Sequence, residues 1–257
     1  MAETAGAQPV RADAFLGGKV TLYQSARGHR AGTDAALLAA AAPADFSGFV
    51  LDIGAGVGAA SIALAATRPG AHIGLVEIDA EAAELARKNL GLNALAERGR
   101  VFEADALSPP SRRAAELADE SADLVISNPP FLDPARSRAS PDEGRRRAHV
   151  MREGGPAGVA AWLIACLALT RPGGSCILIH RPDSLAALLA ALEGRAGGAV
   201  LMPIHPRAGA AAIRILLRAR KGSRAPFSIV PGLIIHDESG LTPQSDAIHR
   251  GEACLDW

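Results

Sequence analysis

Residues 49–67 read FVLDIGAGVGAASIALAAT, and the fold is decided there. Residues 49–53 are apolar except for Asp52 and predict a short, buried strand. Gly54-Ala55-Gly56-Val57-Gly58 follows as a tight turn in which the backbone can come close to a ligand. The alanine-rich run 59–67 then predicts a helix, whose first N–H groups lack intrahelical partners and are open to a ligand. Strand, glycine-rich turn and helix in that order open a doubly wound α/β fold at the place where it binds a nucleotide.

The alternation continues towards the C-terminus. Strands are predicted at 72–78, 100–104, 123–127 and 176–180, with helices at 80–90, near 111–117, at 157–170 and at 184–192. Repeated βα units imply a mostly parallel, doubly wound sheet with helices on both faces. Residues 200–204, 213–218 and 229–235 read as strands without intervening helices, which predicts antiparallel C-terminal strands. Upstream, 15–24 (FLGGKVTLYQ) predicts a small hairpin turning at Gly17-Gly18. Gly32-Thr33-Asp34 precede an Ala/Leu run, where a Thr or Asp is a helix-capping signal. No repeat or linker divides the chain. The expected organisation is one domain over 1–257, with a hairpin and cap helix in 1–45 over the cofactor site and a Rossmann-like core in 46–257.

Charge narrows the class of function. Twenty-seven basic and 27 acidic residues cancel, which excludes a binder held mainly by a global positive field but leaves room for a local basic patch. Cys166, Cys176 and Cys254 are isolated, with no CxxC and no His at ligand spacing, so they read as thiols in a reducing compartment and not as a metal site. His180, His205 and His236 are scattered and read as structural or surface groups. The start of the chain carries acid and lacks an apolar h-region. The longest apolar run, around 158–169, falls short of the roughly 20 residues a membrane span needs. A cytoplasmic protein without a membrane partner is expected.

The glycine turn alone would also suit a nicotinamide dinucleotide or a purely structural turn. Asp52 shifts the balance, because a carboxylate beside a pyrophosphate is unfavourable whereas a cationic methionine moiety welcomes one. The turn residues Gly54, Ala55, Gly56 and Gly58 are then the approach surface for S-adenosylmethionine. Glu77, followed by Ile78, closes the second strand where a carboxylate can hold both ribose hydroxyls. Asp105, followed by Ala106, closes the third, suited to accept from the adenine amino group of the cofactor. Together these resemble the nucleotide-site motifs of class I methyltransferases.

Asn128-Pro129-Pro130-Phe131, directly after the fourth strand, is the most specific feature. An exocyclic amine on a base, or a carboxamide nitrogen, is a poor nucleophile because its lone pair is delocalised. The Asn128 side-chain oxygen and the Pro129 carbonyl can each accept one N–H, drawing the nitrogen towards tetrahedral geometry beside the cofactor. The two prolines restrict the backbone, so those acceptors lose little entropy on binding. Phe131 offers a flat face for a base. Catalysis of this kind is positioning for in-line transfer, with the charged transition state stabilised by the acceptors.

The element 28–40 (GHRAGTDAALLAA), then LDIGAG, VEID and DLVISNPPF in this order, resembles the bacterial tRNA(Val)-specific adenine N6-methyltransferases, from about residue 24 to about 231. The resemblance implies an RNA substrate, a tRNA, with methylation at the adenine beside the anticodon. It also implies a cofactor-side role for Gly32, Thr33 and Asp34, since that segment caps the methionine end of the cofactor in the family. Phe131 departs from the Tyr usual in adenine-specific members and is common in ribosomal RNA guanine N2-methyltransferases, so both bases stay open. Protein-glutamine N5-methyltransferases share the motif but place a helical domain before the first strand. A catalytically silent cofactor- or RNA-binding module is the reading from another class, and the intact Asn128 and Pro129 speak against it. A run of about twenty residues after the motif carries Arg136, Arg138, Arg145, Arg146, Arg147 and Arg152, which reads either as a clamp on RNA phosphates or, with Asp142 and Glu143 diluting the charge, as a solvated disordered loop. An unpaired anticodon-loop base is cheap to extrude, which suits a small enzyme.

Overall fold

A computed structural model describes residues 10–25, 32–129 and 156–257. A ten-stranded sheet forms the centre, in the order β12-β11-β8-β9-β7-β6-β3-β4-β5 with β10 beside β8. Its first half is parallel: β3 (Gly48–Ile53) lies between β4 (Ala71–Glu77) and β6 (Ala122–Ser127), with β5 (Gly99–Glu103) outside β4 and β7 (Thr170–His180) outside β6. Strand order reverses at β3, so the chain ends of β3 and β6 border the crevice where such folds bind ligands.

The second half begins with antiparallel pairing, as expected. β9 (Arg214–Lys221) runs against both β7 and β8 (Ala196–Arg207). β10 (Ser228–Ile229) and β11 (Leu233–Asp237), however, lie parallel to β8, and only β12 (Gly240–Leu241) turns back on β11. The connection after β9 carries the chain to the outer side of β8 before it pairs, which sets the parallel direction.

Alternation along the strands divides the core. Val50, Ile73, Leu75, Leu124 and Ile126 pack towards α1 (Thr33–Ala40), α2 (Ala59–Thr67) and α3 (Ala80–Leu92). Leu51, Ile53, Val76 and Val125 pack towards α5 (Pro156–Leu169) and α6 (Leu185–Leu192). A period of two on buried strands produces this two-sided burial. The short α4 (Pro109–Ala114) starts with Ser108 accepting from Ser111 N–H and proline at its first position, and so begins two residues before the 111–117 expected from sequence.

The hairpin begins further upstream than its sequence signal, pairing β1 (Val10–Phe15) with β2 (Val20–Ser25) around the Gly17-Gly18 turn. Two asparagines one helical turn apart, Asn89 on α3 and Asn93 at its C-terminal cap, hold it. Asn89 accepts from Tyr23 N–H at 2.7 Å and donates to Tyr23 O at 3.0 Å, and Asn93 does the same for Thr21 at 3.0 and 2.8 Å. α1 is capped by Gly32 with no side-chain hydrogen bond, so the expected Thr or Asp cap is not used. A further helix, α7 (Pro243–His249), has no counterpart in the sequence reading; Thr242 caps it through Ser245 N–H, with Pro243 at its first position. The chain end is fastened to α1 by Leu255 N–H to Ala40 O and by Trp257 Nε1–H to Ala41 O. Cys166 and Cys176 are buried, Cys254 is half-buried, and all three are free thiols.

Candidate active site

At the end of β3 the chain turns back on β4. Gly54 and Ala55 donate their N–H groups to Val76 O at 2.9 and 3.1 Å. Gly54 has φ +71°, and a Cβ there would lie 3.0 Å from the Trp162 ring, so only glycine fits over that indole. Gly56, at φ +56°, has open space where its Cβ would stand. The turn is therefore filled from below and clear above, a cradle for a ligand rather than a packed corner.

Asp52 lies one residue before the end of β3, 3% exposed, and its Oδ2 accepts from Ser61 N–H at 3.2 Å. That bond satisfies a free N–H in the first turn of α2, whose Gly58 cap has no side chain. Burial pushes the Asp52 carboxyl up to about 7; the Ser61 bonds offset this in part, and the nearby Glu77 adds to it. A buried carboxylate with so little compensation is a seat for a cation.

Glu77 ends β4, and its carboxylate is aimed by the backbone. Oε2 accepts from Gly56 N–H at 2.7 Å, while Oε1 accepts from Ile78 and Asp79 N–H at 2.8 and 2.9 Å. Desolvation still raises its pKa against these three bonds. Ile78 beside it is exposed despite being large and apolar. At the end of β5, Asp105 spends Oδ1 on Leu107 N–H at 2.9 Å, and the Ala106 carbonyl takes a 2.7 Å bond from the buried Arg112. The structure thus gathers Asp52, the glycine turn, Glu77, Ile78, Asp105 and Ala106 along one edge of β3, β4 and β5. A fixed carboxylate for hydroxyls, an apolar face and a buried anion fit a nucleoside that carries a cationic amino-acid tail.

β6 ends at the Asn-Pro motif. Ser127 Oγ donates to Ile53 O at 2.6 Å and accepts from Trp162 Nε1–H at 2.9 Å, so the ends of β3 and β6 are tied together and to α5. Asn128 comes next. Its Oδ1 is buried and, among the described residues, has no hydrogen-bond donor. Leaving such an acceptor unpaired costs about 1–3 kcal/mol, a cost a substrate N–H can offset. Pro129 is buried beside it. Pro130, Phe131 and the six arginines from Arg136 to Arg152 lie outside the described residues.

Gly32, Thr33 and Asp34 form the first turn of α1, and the two side chains reach away from the glycine turn. Thr33 Oγ1 is 3.0 Å from His249 Nε2, and Asp34 Oδ2 accepts from Arg214 Nε at 3.0 Å. Sequence reasoning missed two supports of the site, Asn89 and Trp162. Asn89 is fully buried and also donates to Val57 O at 2.9 Å, linking the hairpin to the glycine turn. Asn89 and Asn93 at i and i+4 on one helix face were the available signal, though polar pairs on a helix usually mark solvent.

Residues 28–141 match the methyltransferase small domain family. A tRNA1(Val) (adenine(37)-N6)-methyltransferase from Yersinia pseudotuberculosis serotype IB is 31% identical across 99% of this chain and 96% of that one. A release factor glutamine methyltransferase from Chlorobaculum tepidum is 33% identical over 51% of this chain, but the shared part is only 45% of that relative. A crystal structure described as a predicted O-methyltransferase from Agrobacterium tumefaciens is 35% identical, with a TM-score of 0.72 over 86% of this chain and 97% of that one. With the cofactor edge and Asn-Pro motif in place and a relative matched over nearly its full length, the chain belongs to the family of the tRNA1(Val) (adenine(37)-N6)-methyltransferases.

Proposed function

We propose that the protein methylates the exocyclic N6 of an adenine in the anticodon loop of a tRNA. The observation that carries this reading is the buried Asn128 Oδ1, which has no donor among the described residues, at the end of β6 beside the cofactor edge. S-adenosylmethionine, when bound, supplies an electrophilic methyl group on a sulfonium. Glu77 holds its ribose hydroxyls, Ile78 and Ala106 flank its adenine, Asp105 accepts from the adenine amine, and Asp52 balances the positive charge of the methionine end. Gly54, Ala55, Gly56 and Gly58 let the backbone come close, while Gly32, Thr33 and Asp34 at the start of α1 cap the methionine end, with the Thr33 and Asp34 side chains turned to His249 and Arg214.

Two acceptors then act on the substrate. Asn128 Oδ1 takes one N–H of the amine and the Pro129 carbonyl takes the other, so the nitrogen lone pair is freed and aimed. The methylated nitrogen is strongly acidic and releases its proton to water without a strong base. Pro130 stiffens the motif, Phe131 stacks on the base, and Arg136, Arg138, Arg145, Arg146, Arg147 and Arg152 contact phosphates. The Agrobacterium relative is described as a predicted O-methyltransferase. A hydroxyl carries a single proton and calls for a base, whereas two acceptors suit an amine. The tRNA in the name of the near-full-length relative supports the choice of RNA. Among the described residues no helix is long and apolar enough to cross a membrane, and we place the protein in the cytoplasm with its RNA.

The test is to incubate the purified protein with labelled cofactor and bulk tRNA, with ribosomal RNA in parallel, from a strain lacking the gene. N6-methyladenosine in tRNA is the expected product by nucleoside mass spectrometry. N2-methylguanosine, or label in ribosomal RNA, replaces the substrate; label found only in protein glutamine replaces the RNA reading altogether.

A further inference from the structure

The carboxyl edge of the sheet continues past Asn128 into a second pocket. It lies between the start of α1 and the ends of β8, β9 and β11, with a volume of about 240 Å³. Leu37, Ile204, Ile213 and Ile235 form its apolar walls, and Asp34 and Arg214 its polar side. The ion pair between them is partly open, with 17% of the Asp34 side chain and 28% of the Arg214 side chain accessible. Carboxylate oxygens and guanidinium N–H groups therefore stand side by side at an apolar cavity, the donor and acceptor pattern that a nucleobase edge presents in reverse.

Its position follows from register. Ser127 on β6 pairs with Leu178 on β7, His180 on β7 pairs with Ile215 on β9, and Arg214 pairs with Ile204 on β8. With strands about 4.8 Å apart, the pocket lies roughly 10–15 Å from Asn128 along the same edge. That is within reach of a nucleotide next to the one at Asn128 in an unpaired strand. His180, at the end of the intervening β7, is buried with Nδ1 2.7 Å from Ser184 Oγ, and burial holds its pKa down at about 4, so this imidazole is neutral at pH 7. Arg207 follows the pocket residues on β8, opposite His236 in register; it is exposed and has no ion pair among the described residues. Ile213 at the rim is 47% exposed, a large apolar side chain left for a partner to cover.

We propose that this pocket binds the nucleobase adjacent to the methylated one, with Ile213 and its apolar neighbours against the ring, Asp34 and Arg214 on its edge, and Arg207 towards the intervening phosphate. The proposal rests on the reading of RNA as substrate. It adds a second base contact, which gives sequence context to a reaction whose chemistry needs only one base.

The test uses the full chain and anticodon stem-loop RNAs that carry an abasic nucleotide on one side or the other of the methylated adenosine. One of the two abasic RNAs is expected to raise KM about ten-fold while kcat stays within about two-fold. Ile213→Ser, at an exposed position that leaves folding intact, should raise KM comparably on intact RNA and add nothing further on that abasic RNA. Arg207→Gln serves as a second variant, raising KM and flattening its salt dependence. Unchanged KM on both abasic RNAs, or fully additive effects of Ile213→Ser and the abasic site, overturns the pocket assignment while methylation of intact RNA stands. No label in intact RNA overturns the RNA reading and this proposal together.

Discussion

The indole N–H of Trp162 donates to Ser127 Oγ at 2.9 Å, one residue before Asn128. The same ring lies under Gly54, so one side chain of α5 supports both the glycine turn and the end of β6. Trp162→Phe keeps most of the packing and removes the donor. Stability should fall by about 1–2 kcal/mol in urea unfolding, and the single-turnover transfer rate should fall with it. A variant as fast and as stable as the parent would mean that Ser127 is positioned by its bond to Ile53 alone.

Asp52 makes the protein pH-sensitive in a direction that can be checked. Its carboxyl binds a proton more tightly folded, at about 7, than unfolded, at 3.8, so the unliganded protein loses stability as pH rises through that window. Asp52→Asn should therefore stabilise the unliganded protein at pH 8, by on the order of 2–4 kcal/mol, and much less at pH 4. Cofactor binding favours the ionised carboxylate, so affinity in the parent should tighten between pH 6 and 8. Calorimetric titration checks this: a pH-independent dissociation constant would remove Asp52 from the cation's surroundings.

Two glycines of one turn should fail in different ways. A Cβ at Gly58 would lie 2.4 Å from Leu75 Cδ2, at φ +88°, so Gly58→Ala should cost about 2–3 kcal/mol of stability. At Gly56 the space is open, and Gly56→Ala should cost about 1–2 kcal/mol in backbone strain but weaken the cofactor at least ten-fold. Paired unfolding and binding curves separate the two. Equal loss of affinity in both, at equal stability, would deny Gly56 its place against the ligand.

Asn89→Leu removes bonds to Tyr23 and Val57 from a fully buried site and should destabilise the fold by about 2–4 kcal/mol. Amide exchange in β2 should rise more than in β3. A uniform rise over both would show that the hairpin is not anchored through Asn89.

The parallel half of the sheet was legible because each strand there is a short apolar run bounded by a turn, and because Gly54–Gly58 marks the first crossover. Glu77, Asp105 and Asn128 could be placed for the same reason: each lies at or within two residues of a strand end, and strand ends on one edge converge. The direction of β10 and β11 was not legible, since it depends on where the chain after β9 re-enters the sheet. Helix α7 has a cap signal in Thr242-Pro243, but its seven residues give too little periodicity to mark a helix. Thr33 and Asp34 read as caps, yet their side chains are drawn to His249 and Arg214, more than 170 residues away in sequence, and local propensity carries no trace of such partners.

The most direct test of the account is Asn128→Ala, with cofactor affinity and methyl transfer measured on the same preparation. On the proposed reading the Asn128 oxygen serves mainly the substrate amine, although Asn128 also borders the cofactor, so the dissociation constant for S-adenosylmethionine should stay within about three-fold while transfer to tRNA falls at least 100-fold. Transfer near the parental rate, or loss of transfer explained wholly by lost cofactor binding, would contradict the role assigned to Asn128 Oδ1.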